Sequence, residues 1–180
     1  MNEVSTILKK DLSIKNTNVL IDAVEYVMIN EMVASGEFEL IQAPLKHIFT
    51  DGLYTRIITM PQNSRFTTFI HKTYHPFFVL KGKVSVFSDI DGTQLIEAPF
   101  VGVTKPGTRR VLHVHEETIW ITTHRTDIKP KDNSEEAIQE AADLVINEIT
   151  EYYENDLLGG RYVNSVFMGS EKIENTQYEK

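Results

Sequence analysis

Hydrophobic and polar positions divide the chain into three zones. From Val19 to Val33 the residues are apolar apart from small interruptions at Asp22, Glu25, Asn30 and Glu31. Thr17 or Asn18 can cap this run and Ser35-Gly36 can stop it, which predicts a mostly buried helix. Between Phe38 and Thr126 the pattern shortens to β-branched and aromatic stretches: Tyr54 to Met60, Phe66 to His71, Phe77 to Leu80, Val84 to Phe87, Arg110 to His115 and Ile119 to Thr123. Lys81-Gly82-Lys83, Asp89 to Gly92, Pro106-Gly107 and His115-Glu116-Glu117 read as turns between them. Many short strands at this spacing predict a β-sandwich or small barrel.

The third zone opens on the breaker-rich Lys129-Pro130-Lys131-Asp132-Asn133. Asp132 with Glu135, or Asn133 with Glu136, offers a capping box, and Ile138, Ala142, Val145, Ile149 and Tyr153 follow at helical spacing. An amphipathic helix is expected to run to about Leu158-Gly159-Gly160, with Glu171 to Lys180 a loosely held tail. The expected division is residues 1–37 as an N-terminal helical extension, 38–127 as a barrel and 128–180 as a C-terminal helix and tail.

Composition narrows the chemistry. The 180 residues include no cysteine, so disulfides, thiolate metal sites and cysteine nucleophiles are excluded and any metal must be held by His, Asp or Glu. A net charge of −8 repels phosphate backbones, and the one short basic run, Lys105 to Arg110, does not offset it. No nucleic-acid partner is expected. No apolar run reaches signal-peptide or membrane-spanning length, so a cytoplasmic protein without a membrane partner is expected. No glycine-rich loop leads from a strand into a helix as a nucleotide site requires.

His71-Lys72-Thr73-Tyr74-His75, followed after six residues by Gly82, resembles the first motif of the cupin family. In that register His71 stands at the second His, His75 at the Glu, and Phe69 at the first His. In the second motif Gly107 matches the Gly and Arg110 stands where the His would be. A closer resemblance, over roughly His47 to Thr126, is to small cupin-like proteins encoded by tailed bacteriophages. It rests on Pro44 with His47 and Phe49, Gly52 to Arg56, His71-Lys72 with His75, Pro106 to Val111, and Glu116 to Trp120 ending in His124. The resemblance implies a mainly β cupin-like double-stranded β-helix, a small jelly-roll barrel of RmlC-like type, with helical extensions at both ends. It also implies a phage protein in the host cytoplasm, or one associated with the virion.

In an extended strand Phe69, His71 and His75 share a face, which the cupin register turns inward. Two neutral imidazoles can bind a divalent transition-metal ion, but a site needs three or four ligands. His47 and His124 can each reach the cavity, and His124 is taken as the third metal ligand beside His71 and His75. His113 and His115 are expected at a solvated hairpin end. Tyr54 and Arg56 share a face and, with Arg110, form a ligand-binding set suited to a small anion, since a guanidinium makes bidentate contacts to carboxylate or phosphate. The alternative for Arg110 is an ion pair with Glu97, Glu116 or Glu117. Trp120 is expected as a core anchor.

Two functions fit these residues. The first is a barrel that binds a small anionic ligand, a divalent metal, or both. The second is a non-catalytic structural or assembly protein with a virion or host protein partner, using the barrel as scaffold. In either case a homo-oligomer, a dimer first, is expected, because the N-terminal helix is apolar on more faces than one barrel can bury. Val19, Leu20, Val24, Val27, Met28 and Met32 are placed at that contact.

Overall fold

The computed structural model describes residues 18–35, 43–88 and 90–151. Helix α1 (Asn18–Ser35) is followed by eight strands: β1 (Leu45–Thr50), β2 (Leu53–Met60), β3 (Arg65–Thr67), β4 (Ile70–His71), β5 (His75–Ser88), β6 (Gly92–Glu97), β7 (Phe100–Thr104) and β8 (Val111–Arg125). Helix α2 (Glu135–Ile149) and the short strand β9 (Thr150–Glu151) complete it. The expected mainly β architecture with flanking helices is the one found.

All described pairings are antiparallel. One sheet runs β1-β2-β8-β5-β6, with β3 added to β8 and β7 added to β5, while β4 and β9 pair separately. The two long strands β5 and β8 form the spine, and they correct the sequence reading. Phe77 to Leu80 and Val84 to Phe87 are one strand, as are the two stretches from Val111 to Arg125. The supposed turns at Lys81-Gly82-Lys83 and His115-Glu116-Glu117 lie opposite one another in a single irregularity, where the register shifts between Val79 and Val84.

Burial shows how the bulge works. On β5 the buried positions are odd before it (His75, Phe77, Val79) and even after it (Val84, Val86, Ser88), whereas β8 buries even positions on both sides. Between the Val79–Trp120 and Val84–Val114 pairs β5 advances by an odd number of residues and β8 by an even number, which reverses the facing of β5 downstream. Gly82 sits at φ +90°, and a Cβ there would collide with the Glu117 carbonyl oxygen, so glycine is required. Lys81 closes the bulge outside with a 2.7 Å ion pair to Glu117.

The core between the β5 and β8 arms holds Ile58, Met60, Phe66, Val84, Leu112 and Trp120 among others. A second cluster joins Tyr54 of β2 to Ala142, Val145 and Ile149 of α2. The C-terminal helix therefore packs on its own barrel, and Lys72 N–H donates to the Ile149 carbonyl at 2.8 Å to fix its end.

Several helix details differ from expectation. The N-cap of α2 is Ser134, whose hydroxyl accepts from Ala137 N–H, while Asp132 accepts from Ser134 N–H one step earlier. The helix stops at Ile149 because Thr150 turns extended and enters β9 against His71; Tyr153 and Leu158 to Gly160 lie outside the described residues. Helix α1 buries less than predicted. Ile21 and Glu25 face the barrel, and Leu20, Val24, Tyr26 and Val27 are exposed. Glu25 ion-pairs with Arg109 at 2.6 Å, both almost wholly buried. Thr17 lies outside the described residues, as do the side chains of Val19 and Met32.

Candidate functional site

Period-two alternation on β2 turns Tyr54, Arg56, Ile58 and Met60 into the barrel, and their neighbours on β8 present Trp120, Thr122 and His124. His71 on β4 and His75 at the start of β5 enter from the opposite side. The backbone between them is not extended, so the simple even-spacing argument fails there, yet both line the cavity with Phe69. Ile146, Ile149 and Thr150 cover the chamber, whose volume is about 50 Å³. That is room for an ion and roughly one or two waters.

Every residue assigned to ligand or metal binding from sequence, namely Tyr54, Arg56, Arg110, His71, His75 and His124, lines this one chamber. The imidazole centroids stand 4.1 Å apart for His75 and His124, 4.5 Å for His71 and His75, and 6.1 Å for His71 and His124. Each ring has one buried nitrogen without a hydrogen-bond partner: His71 Nδ1, His75 Nε2 and His124 Nδ1. Among the described residues no group of three or more His, Asp or Glu side chains has the spacing of a ready-made metal centre. For comparison, an ion about 2.1 Å from a ring nitrogen lies roughly 3.2 Å from that ring's centroid, which puts two rings on one ion about 4.5–5.5 Å apart. The observed distances of 4.1, 4.5 and 6.1 Å bracket that range.

Protonation states follow from burial. Desolvation holds His71 well below the usual imidazole value, reinforced by His75, His124 and both arginines. It brings His75 down to about 4, against a raising contact from the Thr73 carbonyl, and His124 down to about 3, helped by His75 and Arg56. All three are neutral at pH 7. The Thr73 carbonyl can only accept, so His75 Nδ1 carries the proton at 3.2 Å and the unpartnered Nε2 presents a lone pair. Burial also pushes Tyr54 up to about 12, so it is a neutral phenol, and its hydroxyl shares a 2.7 Å hydrogen bond with His47 Nδ1. His47 thus meets the site through Tyr54 and does not line the chamber.

Arg110 does not pair with Glu97, Glu116 or Glu117, as the alternative reading supposed. Its Nη1 donates to Thr104 Oγ1 at 3.1 Å and its guanidinium lies 5.2 Å from the centroid of Phe77, which stacks on Trp120. The glutamates face out, where Lys83 takes Glu97 and Lys81 takes Glu117. Burial lowers Arg110 to about 10, leaving it charged at neutral pH. The chamber therefore contains two guanidiniums, three neutral imidazoles and, among its described lining residues, no carboxylate. His113 and His115 lie on a strand face instead of a hairpin tip, and Ser85 Oγ holds His115 Nε2 at 2.7 Å.

No helix among the described residues is long and apolar enough to cross a membrane. No family profile matches the sequence, and no curated protein matches it. Solved structures similar to the chain include the cupin domain of Cnp3 from Schizosaccharomyces pombe, at 18% identity and TM-score 0.40 over 51% of this chain and 66% of that one. Others are a cupin-2 domain protein from Shewanella frigidimarina, at 12% and 0.39 over 53% and 91%, and an RmlC-like cupin from Methanocaldococcus jannaschii, at 7% and 0.40 over 47% and 80%. At TM-scores of 0.39–0.40 these likenesses carry no argument, and the mainly β fold rests on the strand pairing set out above.

Proposed function

We propose that the imidazole chamber binds a divalent transition-metal ion through His71, His75 and His124, together with a small anion directed at Arg56 and Arg110. The observation that supports this reading is the set of three buried, unpartnered ring nitrogens, since buried polar atoms normally have partners. Neutral imidazole is the form that binds transition metals, and burial maintains it. Two nearby guanidiniums oppose a lone cation, and an accompanying anion offsets that repulsion while using their hydrogen-bond donors. The chamber volume restricts the anion to a few atoms, of the size of formate.

A Co²⁺ titration followed by visible absorption tests the reading. One ion per chain is expected, with His75→Ala or His124→Ala weakening uptake by at least about 100-fold. Because the folded imidazoles titrate near 4 and 3, below the usual 6.5, they stay deprotonated as pH falls through 6.5; uptake should persist to about pH 5 and collapse as pH passes 4. Formate should tighten the ion. Uptake that is absent, or unchanged in both variants, refutes the metal site.

One observation favours the assembly reading as well: Leu20, Val24, Tyr26 and Val27 leave an apolar stripe of α1 in water. On this reading the chain pairs with a second copy through α1. Light scattering at high micromolar concentration should give a dimer, and Leu20→Lys with Val27→Lys should give a monomer. A monomeric parent protein would count against it.

A further inference from the structure

Arg110 also forms the floor of a second and larger cavity. This chamber, about 190 Å³, lies between β5, β6 and β7 on the far side of the Phe77 ring. Phe77, Ile96 and Arg110 form its inner end, and Asp91, Gln94 and Lys105 stand at its mouth. Arg110 is only 6% exposed, and the described partners of its guanidinium are a hydroxyl and a ring face. A buried charge of this kind is normally met by an opposite charge. Asp91 is the nearest described carboxylate influence on it, but Asp91 is held by Lys105 at 2.8 Å, with both side chains partly in water. The chamber thus has a cationic floor, apolar walls from Phe77, Ile96 and Phe100, and a hydrogen-bonding mouth.

We propose that this second chamber binds a short carboxylic acid whose far end carries a hydroxyl or an ammonium group. The carboxylate meets Arg110 in bidentate fashion, the carbon chain lies along Phe77 and Ile96, and the polar end reaches Asp91 and Gln94. The volume admits about six water-sized groups, which matches a four-carbon hydroxy or amino acid. The site is built by the parity switch in β5, which directs Phe77 and then Val86 and Ser88 to the same interior. It does not depend on a metal in the other chamber.

The test is calorimetry on the full, metal-free chain with 3-hydroxybutyrate and 4-aminobutyrate, beside butyrate and 1,3-butanediol. At least one of the first two should bind, butyrate at least about tenfold more weakly, and the diol not measurably, as expected when a buried polar group loses its partner. Trp120, the only tryptophan, stacks 4.5 Å from Phe77, so its fluorescence should change on binding. Gln94→Trp, at an exposed position, should plug the mouth and abolish binding with the fold intact, and Arg110→Gln should also abolish it. His71→Ala with His75→Ala should leave it unchanged. Absence of binding by both bifunctional acids overturns the proposal. So does binding that survives Gln94→Trp, or binding lost in the histidine variant, which places the acid in the imidazole chamber.

Discussion

Val145→Asp should strongly destabilise the isolated protein. Val145 is fully buried and packs with Tyr54, Ala142 and Ile149, with Phe49 and Ile128 alongside. A carboxylate there has no described cationic partner in the cluster and must either ionise without solvent or take up a proton at neutral pH, each costing several kcal/mol. A loss of about 4 kcal/mol is a large share of the 5–15 kcal/mol that typically holds a domain folded, and corresponds to a fall in Tm of roughly 10–15 °C. Leu144→Asp is the control. That neighbour is 58% exposed, and its change should stay within about 0.5 kcal/mol. Thermal unfolding by circular dichroism decides the matter, and equal Tm values for the two variants would mean that α2 is not packed on the barrel. Because Ile146, Ile149 and Thr150 roof the imidazole chamber, Val145→Asp should also weaken Co²⁺ uptake.

The sequence pattern revealed the face of each strand better than the extent of each strand. Tyr54 and Arg56 are legible as sharing a face because period two survives along β2, and the same alternation carries Ile58 and Met60 inward. His124 was reachable for the same reason, since β8 keeps even parity through the bulge and pairs His124 with Tyr54. The bulge itself is hidden by its composition. Gly82 with flanking lysines has the composition of a turn, and so does His115-Glu116-Glu117; only their pairing across two strands shows that they form one irregularity. The clue available in the sequence was the change of apolar parity from Phe77 and Val79 to Val84 and Val86, which a hairpin does not require and an odd step through a bulge does.

The second chamber was invisible for a related reason. Its walls come from β5 on both sides of the bulge and from β6 and β7, and no short motif links Gln94, Lys105 and Arg110. Arg110 was recognised only through its place in a cupin register, and its partner was sought among glutamates that the folded strands turn outward. The helices were read by apolar content, which overstated the burial of α1. Its contact with the barrel depends on a charged residue, Glu25, that the hydrophobic pattern treated as an interruption.

Glu25→Ala should therefore release α1 while leaving the barrel folded. The Glu25 carboxylate and Arg109 guanidinium meet at 2.6 Å with side chains only 2% and 6% exposed. Removing one member of such a pair costs about 3–5 kcal/mol, because the remaining charge stays in a medium that solvates it poorly. The described contact of α1 with the barrel is narrow, with Ile21 its other fully buried side chain, so loss of the pair exceeds what Ile21 alone supplies, at about 1.5–3 kcal/mol. An undocked helix of 18 residues is marginal in water and should fray. Hydrogen exchange should then accelerate across 18–35 and remain slow in β2, β5 and β8. Replacing both partners, Glu25→Leu with Arg109→Met, removes the stranded charge and should restore most of the protection, as apolar substitution of a whole buried pair commonly does. Unchanged protection of α1 in Glu25→Ala would show that the ion pair does not hold the helix. Loss of protection throughout the barrel would show instead that Arg109 supports the β7–β8 connection more than the helix it meets.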